Sequence, residues 1–460
     1  MTKSTSSKSG FFRRFLGLPF ISMAGFPALI AAQELVPPDG PSVLSDLRVV
    51  LDTGVVLQDG NDDQVVDGLD LRLLLAPDPT ETEVAAAANL AARFGFETSA
   101  TDLGLAGMAR AGEGHDRPVV LVGASAVDAV GLPDGAEEIR RGLAPGQGVL
   151  GRVARSGAFS RGGLSVTGYD ATGLMAVAGY LSGRYPGVWE PDGVTWKEVG
   201  EKVEEFLEGR DLKWIGLSLD QIVVEKGLSG IPRARMVVFV HDGPDFEGAV
   251  AAFLGEDTVS AGHEDPGEKD PGVEGPVEGK PDTLAVPQET DSTAAREDQR
   301  LELSDLEFRG LHRLDVKIES QTATRTLTLR PREPWELRDP AAFRPGADVS
   351  FSLPGIYQVG GLFRDTNRDL VPDETAAFIS LSGSGGASAV VDLASRIGLE
   401  TAGARLPLVH MGAGENDPTT FGFPILVGTD HYQLRRLQEE GKLPETEVGP
   451  GEGFVQFVEN

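Results

Sequence analysis

The feature that most constrains this chain is that it repeats itself. Residues 59–67 read "DGNDDQVVD" and residues 365–373 read "DTNRDLVPD", with acidic and amide side chains at the same offsets. Three further matches follow in the same order. "LAARFGFET" (90–98) pairs with "LASRIGLET" (393–401), "PVVLVGAS" (118–125) with "FPILVGTD" (423–430), and "PGQGVLGRV" (145–153) with "PGEGFVQFV" (450–458). Ordered blocks at nearly constant spacing are the mark of a duplicated unit. A fold proposed for one copy must therefore suit both.

Each copy reads as α/β. The acidic loop leads into an apolar strand, and an Ala-rich helix follows with Thr80 or a neighbour as its cap. Gly95 and Gly398 are expected just past these helices, where a left-handed residue ends a helix well. The aliphatic runs at 119–122 and 425–427 suit buried strands of a sheet covered on both faces. Alternation of strand and helix implies parallel neighbours, so the expected fold is two layered α/β units with mostly parallel sheets. Copy one continues into a strand at 164–167 and a helix from about Ala171 to Arg184. Copy two lacks that strand and helix, and an uncovered strand edge favours a chain that belongs to a longer protein over a naturally shorter second unit.

The remaining segments fall into place around the copies. Residues 1–32 carry Lys3, Lys8, Arg13 and Arg14 before an apolar run that ends in small residues, the pattern of a signal peptide for export. Arg13-Arg14 is similar to a twin-arginine pair, with Phe15-Leu16 one position early. Past that run no segment is apolar for long enough to span a bilayer, so no stable membrane span is expected in the mature chain. Residues 33–58 read as a lead-in strand, 59–194 as repeat unit one, and 195–254 as a helix plus a small α/β segment. Residues 255–300 are rich in Pro, Gly, Glu and Asp without periodicity, which reads as a disordered acidic linker. Residues 301–360 alternate as a β-rich element, and 361–460 form repeat unit two. Thr195 and Glu198 have the spacing of a capping box, ahead of an apolar stripe through Trp196, Val199, Val203, Phe206 and Leu207.

Several chemistries are excluded. A formal charge of −30 repels phosphate backbones, so nucleic acid is not an expected partner. With no cysteine there is no disulfide, thiolate zinc site or cysteine nucleophile. The six histidines form no zinc-protease pattern, and Ser125 and Ser384 lack the spacing of a nucleophile elbow. Gly146, Gly148 and Gly151 spell a dinucleotide fingerprint but precede a strand instead of a helix, so a tight turn is expected there. His115 and His410 fall in matching loops and read as surface histidines. Tyr185, Trp189 and Trp196 cluster after unit one, where core packing outweighs sugar stacking.

The acidic loops are the candidate sites. Asp59, Asn61, Asp63 and Asp67, and their counterparts Asp365, Asn367, Asp369 and Asp373, place oxygens at alternate positions, as a hard cation such as calcium requires. The pattern resembles the loops of thrombospondin type 3 repeats and, more distantly, dockerins and EF-hands. Gln64 and Leu370 replace the glycine those loops use at position six, and position twelve carries no bidentate Glu. A polar turn that launches a strand is the alternative.

The stretch "LSVTGYDATGLMAVAGYLSGRYPGVWEPDG", with "PVVLVGAS" before it, resembles the non-catalytic α/β domain that precedes the barrel in β-hexosaminidases and α-glucuronidases. The whole arrangement is also similar to N-terminal regions of long secreted bacterial hydrolases, including zinc carboxypeptidase-type proteins, though no zinc motif of that family is present. The resemblance implies an exported accessory or binding region, periplasmic, extracellular or at the cell surface, without catalysis of its own. Its implied partners are extracellular polysaccharide or a downstream catalytic region. The alternative is an exported hydrolase of polysaccharide or peptide with its site in the strand-end loops of unit one.

Overall fold

A computed structural model describes residues 46–100, 104–132, 135–188, 193–208, 214–225, 233–240, 313–319, 324–329, 353–357, 361–403 except 366 and 370, 406–411, and 423–443 except 429, together with 44, 455, 456 and 458. The signal-peptide segment, the acidic linker, Trp189 and much of the segments 195–254 and 301–360 lie outside these residues.

Copy one opens with a short hairpin, β1 (Leu57–Gln58) and β2 (Gly68–Leu69), that brackets the first acidic loop. In the region read as a lead-in strand, β1 is the one strand described, and turns precede it. Then come β3 (Arg72–Leu75), α1 (Glu81–Phe96), β4 (Ala106–Met108), β5 (Val119–Val122), α2 (Ala124–Val130), α3 (Gly135–Arg141), β6 (Gln147–Val153), β7 (Gly163–Gly168) and α4 (Ala171–Gly183). Strands β4, β3, β5 and β7 are mutually parallel in that order, and β6 joins β7 antiparallel. The connecting region supplies α5 (Trp196–Glu208), β8 (Trp214–Glu225), β9 (Arg233–Val240), β10 (Arg313–Glu319) and β11 (Thr324–Leu329). These strands extend the sheet of copy one past β6, giving nine strands in the order β11-β10-β9-β8-β6-β7-β5-β3-β4.

Copy two contains β12 (Phe363–Arg364), β13 (Glu374–Thr375), β14 (Ala377–Leu381), α6 (Ala387–Leu399), β15 (Val409–Met411), β16 (Phe423–Val427) and α7 (Tyr432–Glu439). Its parallel sheet runs β15-β14-β16, the same order as β4-β3-β5. The hairpin register repeats too, with Phe363 opposite Thr375 where Leu57 faces Leu69. The duplication read from the sequence is thus a duplication of topology, and the fold is α/β.

Local chemistry explains the helices. Thr80 and Glu83 close a capping box, Glu83 N–H donating to Thr80 Oγ1 at 3.2 Å while Glu83 Oε2 accepts from Thr80 N–H at 2.8 Å. Thr195 and Glu198 close the second box at the start of α5. Trp196, Val199 and Val203 are buried, with Trp196 Nε1–H donating to Tyr180 Oη at 2.6 Å. Tyr185 is buried and bonded to the main chain at Leu47 and Val50, so these aromatics form core and present no stacking platform. Gly146 takes a left-handed turn into β6, as the fingerprint's misplaced context implied.

The two glycines expected past the helix ends are a correction. Gly95 lies inside α1 and Gly398 inside α6. A Cβ on Gly95 would overlap the Ser395 carbonyl oxygen, and one on Gly398 would overlap that of Ala92. Ala92 and Ser395 occupy the same repeat position, so the contact is reciprocal. The glycines are there for close helix–helix approach, which outweighs their low helix propensity.

This reciprocal packing docks the copies. At the amino-terminal ends of the helices, Glu81 Oε2 accepts from Gly383 N–H at 3.1 Å. At the carboxyl-terminal ends the glycines meet, so α1 and α6 run side by side in the same direction. Asn89 of α1 bridges to the free edge of β15, donating to Val409 O at 3.1 Å and accepting from Val409 N–H at 2.8 Å. Asp392, at the same position in α6, accepts from Gly104 and Leu105 N–H at 3.0 and 3.2 Å, where β4 begins. The copies are related by an internal pseudo-two-fold, and α1 is buried on all sides because alanines 85–88, 91 and 92 leave room for neighbours all around it.

Candidate functional site at the seam between the copies

Because α1 and α6 are parallel and each follows a parallel strand, the carboxyl ends of β3, β4, β5 and of β14, β15, β16 face one side. Ligand sites of open α/β sheets form on that side. Glu83, Ser125, Ser380 and His431 gather there, and Thr82 Oγ1 donates to Met411 Sδ across the seam at 3.3 Å. Met108 and Met411, at the same position in the two copies, are both exposed.

The titratable and nucleophilic groups of the seam are tied to structure. Ser125 Oγ donates to Glu83 Oε1 at 2.5 Å, and the other carboxylate oxygen serves the capping box. His431 is buried at the amino-terminal cap of α7, where Nδ1 accepts from Gln433 N–H at 3.2 Å. That bond places the ring proton on Nε2, which donates to Ser380 Oγ at 2.9 Å. The histidine therefore does not take the serine's proton. Burial pulls its pKa below the ordinary value, with the Glu81 carboxylate opposing the shift. The sequence offered no motif for this pair: the residues are far apart in the chain, and only the strand-to-helix turn of copy two brings them together.

The acidic loops lie at the opposite, amino-terminal end of the strands. The two loops share much of one network and differ in which N–H the last Asp accepts from. Asp59 Oδ1 accepts from Asp63 N–H at 3.2 Å, and Asp365 Oδ1 from Asp369 N–H at 3.1 Å. Asn61 Nδ2 donates to Asp63 Oδ2 and Asn367 Nδ2 to Asp369 Oδ2, each at 3.1 Å. Asp67 Oδ1 accepts from Gly60 N–H, and Asp373 Oδ2 from Asn367 N–H. Asp62 and Arg368 share a left-handed conformation at position four, and Gln64 adopts one at position six with φ 71°. Gln64 thus supplies the turn that calcium loops assign to glycine, its N–H donating to Asp59 Oδ2 at 2.8 Å. Leu370 lies outside the described residues. The all-oxygen donor set fits a hard cation in kind, yet among the described residues no three His, Cys, Asp or Glu side chains group as metal donors.

His115 stacks on Phe159 at 5.8 Å, its main chain bridging to the same residue. His410 sits within β15 and not in a loop, exposed and edge-on to Phe378. Among the described residues no helix is long and apolar enough to cross a membrane. Fold and seam together define a tandem α/β protein with internal two-fold pseudosymmetry. Compared with known proteins, the chain matches no family model and no curated sequence.

Proposed function

We propose that this chain is an exported, non-catalytic binding or accessory region built on tandem α/β units, acting on extracellular polysaccharide or beside a hydrolase. One observation carries the reading. The Ser380–His431 pair carries its proton on the histidine Nε2, the pattern opposite to the one nucleophilic catalysis needs, and the Glu83 carboxylate that accepts from Ser125 Oγ is tied to the capping box of α1. The seam keeps the form of a ligand site with its reactive groups engaged elsewhere. Affinity electrophoresis in gels containing soluble polysaccharides, run beside fluorogenic glycosidase, esterase and peptidase substrates, tests it. Retarded migration without turnover supports a binding region. Turnover abolished by Ser380→Ala or Ser125→Ala favours the hydrolase instead.

The second reading places a calcium ion in each acidic loop. The observation favouring it is Gln64, which takes the left-handed conformation of position six without a glycine. Thermal unfolding with CaCl2 and then with a chelator separates the cases. A reversible rise in Tm supports the ion. Identical curves leave the loops as polar turns that start β2 and β13.

A further inference from the structure

The duplication supplies an internal control for one buried pair. Leu74 of β3 pairs with Leu121 of β5, and Ser380 of β14 with Leu426 of β16, so Ser380 stands at the repeat position of Leu74. The block that matches residues 118–125 with 423–430 runs on to set His431 at the position of Ala126. In copy one, Leu74 and Ala126 are buried in one apolar cluster that also holds Val127. In copy two the same place holds a hydroxyl and an imidazole, both fully buried and bonded to each other at 2.9 Å. Replacing both partners of such a bond by apolar groups is close to neutral for stability, so stability alone does not call for the histidine.

The geometry holds His431 in its neutral form. Nδ1 accepts from Gln433 N–H at the start of α7 and Nε2 donates to Ser380 Oγ, so a second ring proton has no place until the cap bond breaks. A cation there also faces the positive end of α7. Among the described residues, β14, β16 and the segment 382–391 carry no titratable side chain. From α1 comes Glu81, whose carboxylate favours a charged imidazole and is bound to Gly383 N–H. On the histidine's own segment, Asp430 and Tyr432 are exposed, Arg435 Nη2 donates to the Asp430 carbonyl oxygen at 3.0 Å, and Arg436 pairs with Glu440. Burial outweighs Glu81 and holds the histidine pKa below its ordinary value. Apolar burial pins α7 weakly, since Leu434 and Leu437 are partly exposed, whereas α2 buries Ala126 and Val127 fully.

We propose that the Ser380–His431 pair is an acid-operated latch. At neutral pH it pins the first turn of α7 to β14. In acid a proton enters at Nδ1, Gln433 N–H loses its acceptor, and the first turn of α7 releases from the sheet while the contact between α1 and α6 stays closed. The released turn lies at the carboxyl ends of the strands, so acid alters the copy-two wall of the seam. Linkage sets the direction. The open turn binds its proton with ordinary histidine affinity and the closed turn binds it more weakly, so the latch is fully closed above about pH 6.5 and loosens as pH falls toward the folded pKa. The inference concerns the response of the fold to acid and holds whether or not the seam takes a ligand.

Amide hydrogen exchange of the full chain, read as protection factors at about pH 7.5 and about pH 5, tests the latch. We expect protection across residues 433–437 to fall at least about threefold in acid, with a ceiling of about thirtyfold for a histidine of ordinary pKa, while α1 and α6 keep theirs. His431→Asn retains a capping oxygen and does not titrate. Ser380→Leu combined with His431→Ala copies the apolar pair of copy one. Each variant is expected to protect α7 equally at the two pH values. Equal protection of α7 at both pH values in the unaltered chain overturns the proposal. So does a loss shared equally by α1 and α6, which is loosening of the whole fold. An acid loss that persists in whichever variant keeps α7 protected at neutral pH also overturns it, because another group is then the sensor.

Discussion

Asn89 shows how much one side chain can decide. Its amide matches both main-chain groups of Val409 on an otherwise free strand edge, while Asp392, in the mirrored place, offers a carboxylate to two N–H groups. Asn89→Ala leaves a buried donor and acceptor without their partner, and each such loss costs about 1–3 kcal/mol. Asp392→Asn keeps an acceptor oxygen and is expected to change stability by less than about 1 kcal/mol. Urea unfolding of both variants measures the difference. Equal effects would mean that Asn89 merely fills space. His431 gives a second residue-scale prediction. Its folded pKa lies below the ordinary 6.5, so the unfolded chain binds more protons between the two values. Its contribution to stability is complete above about pH 6.5 and is lost as pH falls toward the folded pKa. His431→Asn keeps a capping oxygen for Gln433 N–H and removes the titration. Unfolding free energies measured across this pH range should lose part of their slope in the variant; an unchanged slope assigns the effect to another group.

At the scale of elements, the helices α1 and α6 are specified for contact more than for intrinsic helicity. Gly95 and Gly398 each lower helix propensity, and each lets the partner's carbonyl come close. Gly179 in α4 has nothing within 4 Å of where its Cβ would be. Replacing Gly95 or Gly398 by Ala overpacks the interface and is expected to destabilise by about 1–3 kcal/mol. Gly179→Ala should stabilise by about 0.5–1 kcal/mol, since it gains helix propensity at no steric cost. Circular-dichroism melts of the three variants give the comparison. If Gly95→Ala also stabilises, the two helices stand further apart than described.

For the whole molecule, the reciprocal Asx bridges, the glycine contact and one continuous apolar core from Leu73 to Ile379 hold the copies together. The polypeptide between them is therefore not required for their association. A protease site inserted within residues 255–300 and then cut should leave both fragments in one peak on size exclusion. Two peaks would show that the connection, and not the interface, keeps the copies joined. The same view explains why these side chains are spread over a seam: Glu83 and His431 take part in the caps of helices that the duplication placed there, and Ser125 and Ser380 are their hydrogen-bond partners.

Much of this was legible in the sequence because it depends on short-range chemistry. The duplication, the parallel α/β pattern, the cap at Thr80, the Thr195–Glu198 capping box and the Asp/Asn loops follow from residues within a few positions of one another, where backbone geometry alone brings donors to acceptors. The core role of Tyr185 and Trp196 followed from apolar size. The roles of Gly95 and Gly398, the bridges of Asn89 and Asp392, and the pairing of Ser380 with His431 were decided only by tertiary structure. A glycine near a helix end looks the same in sequence whether it turns the chain or admits a neighbour. What separates the two is the position of the second copy, which comes from packing across the full length of the chain and leaves no trace in local spacing.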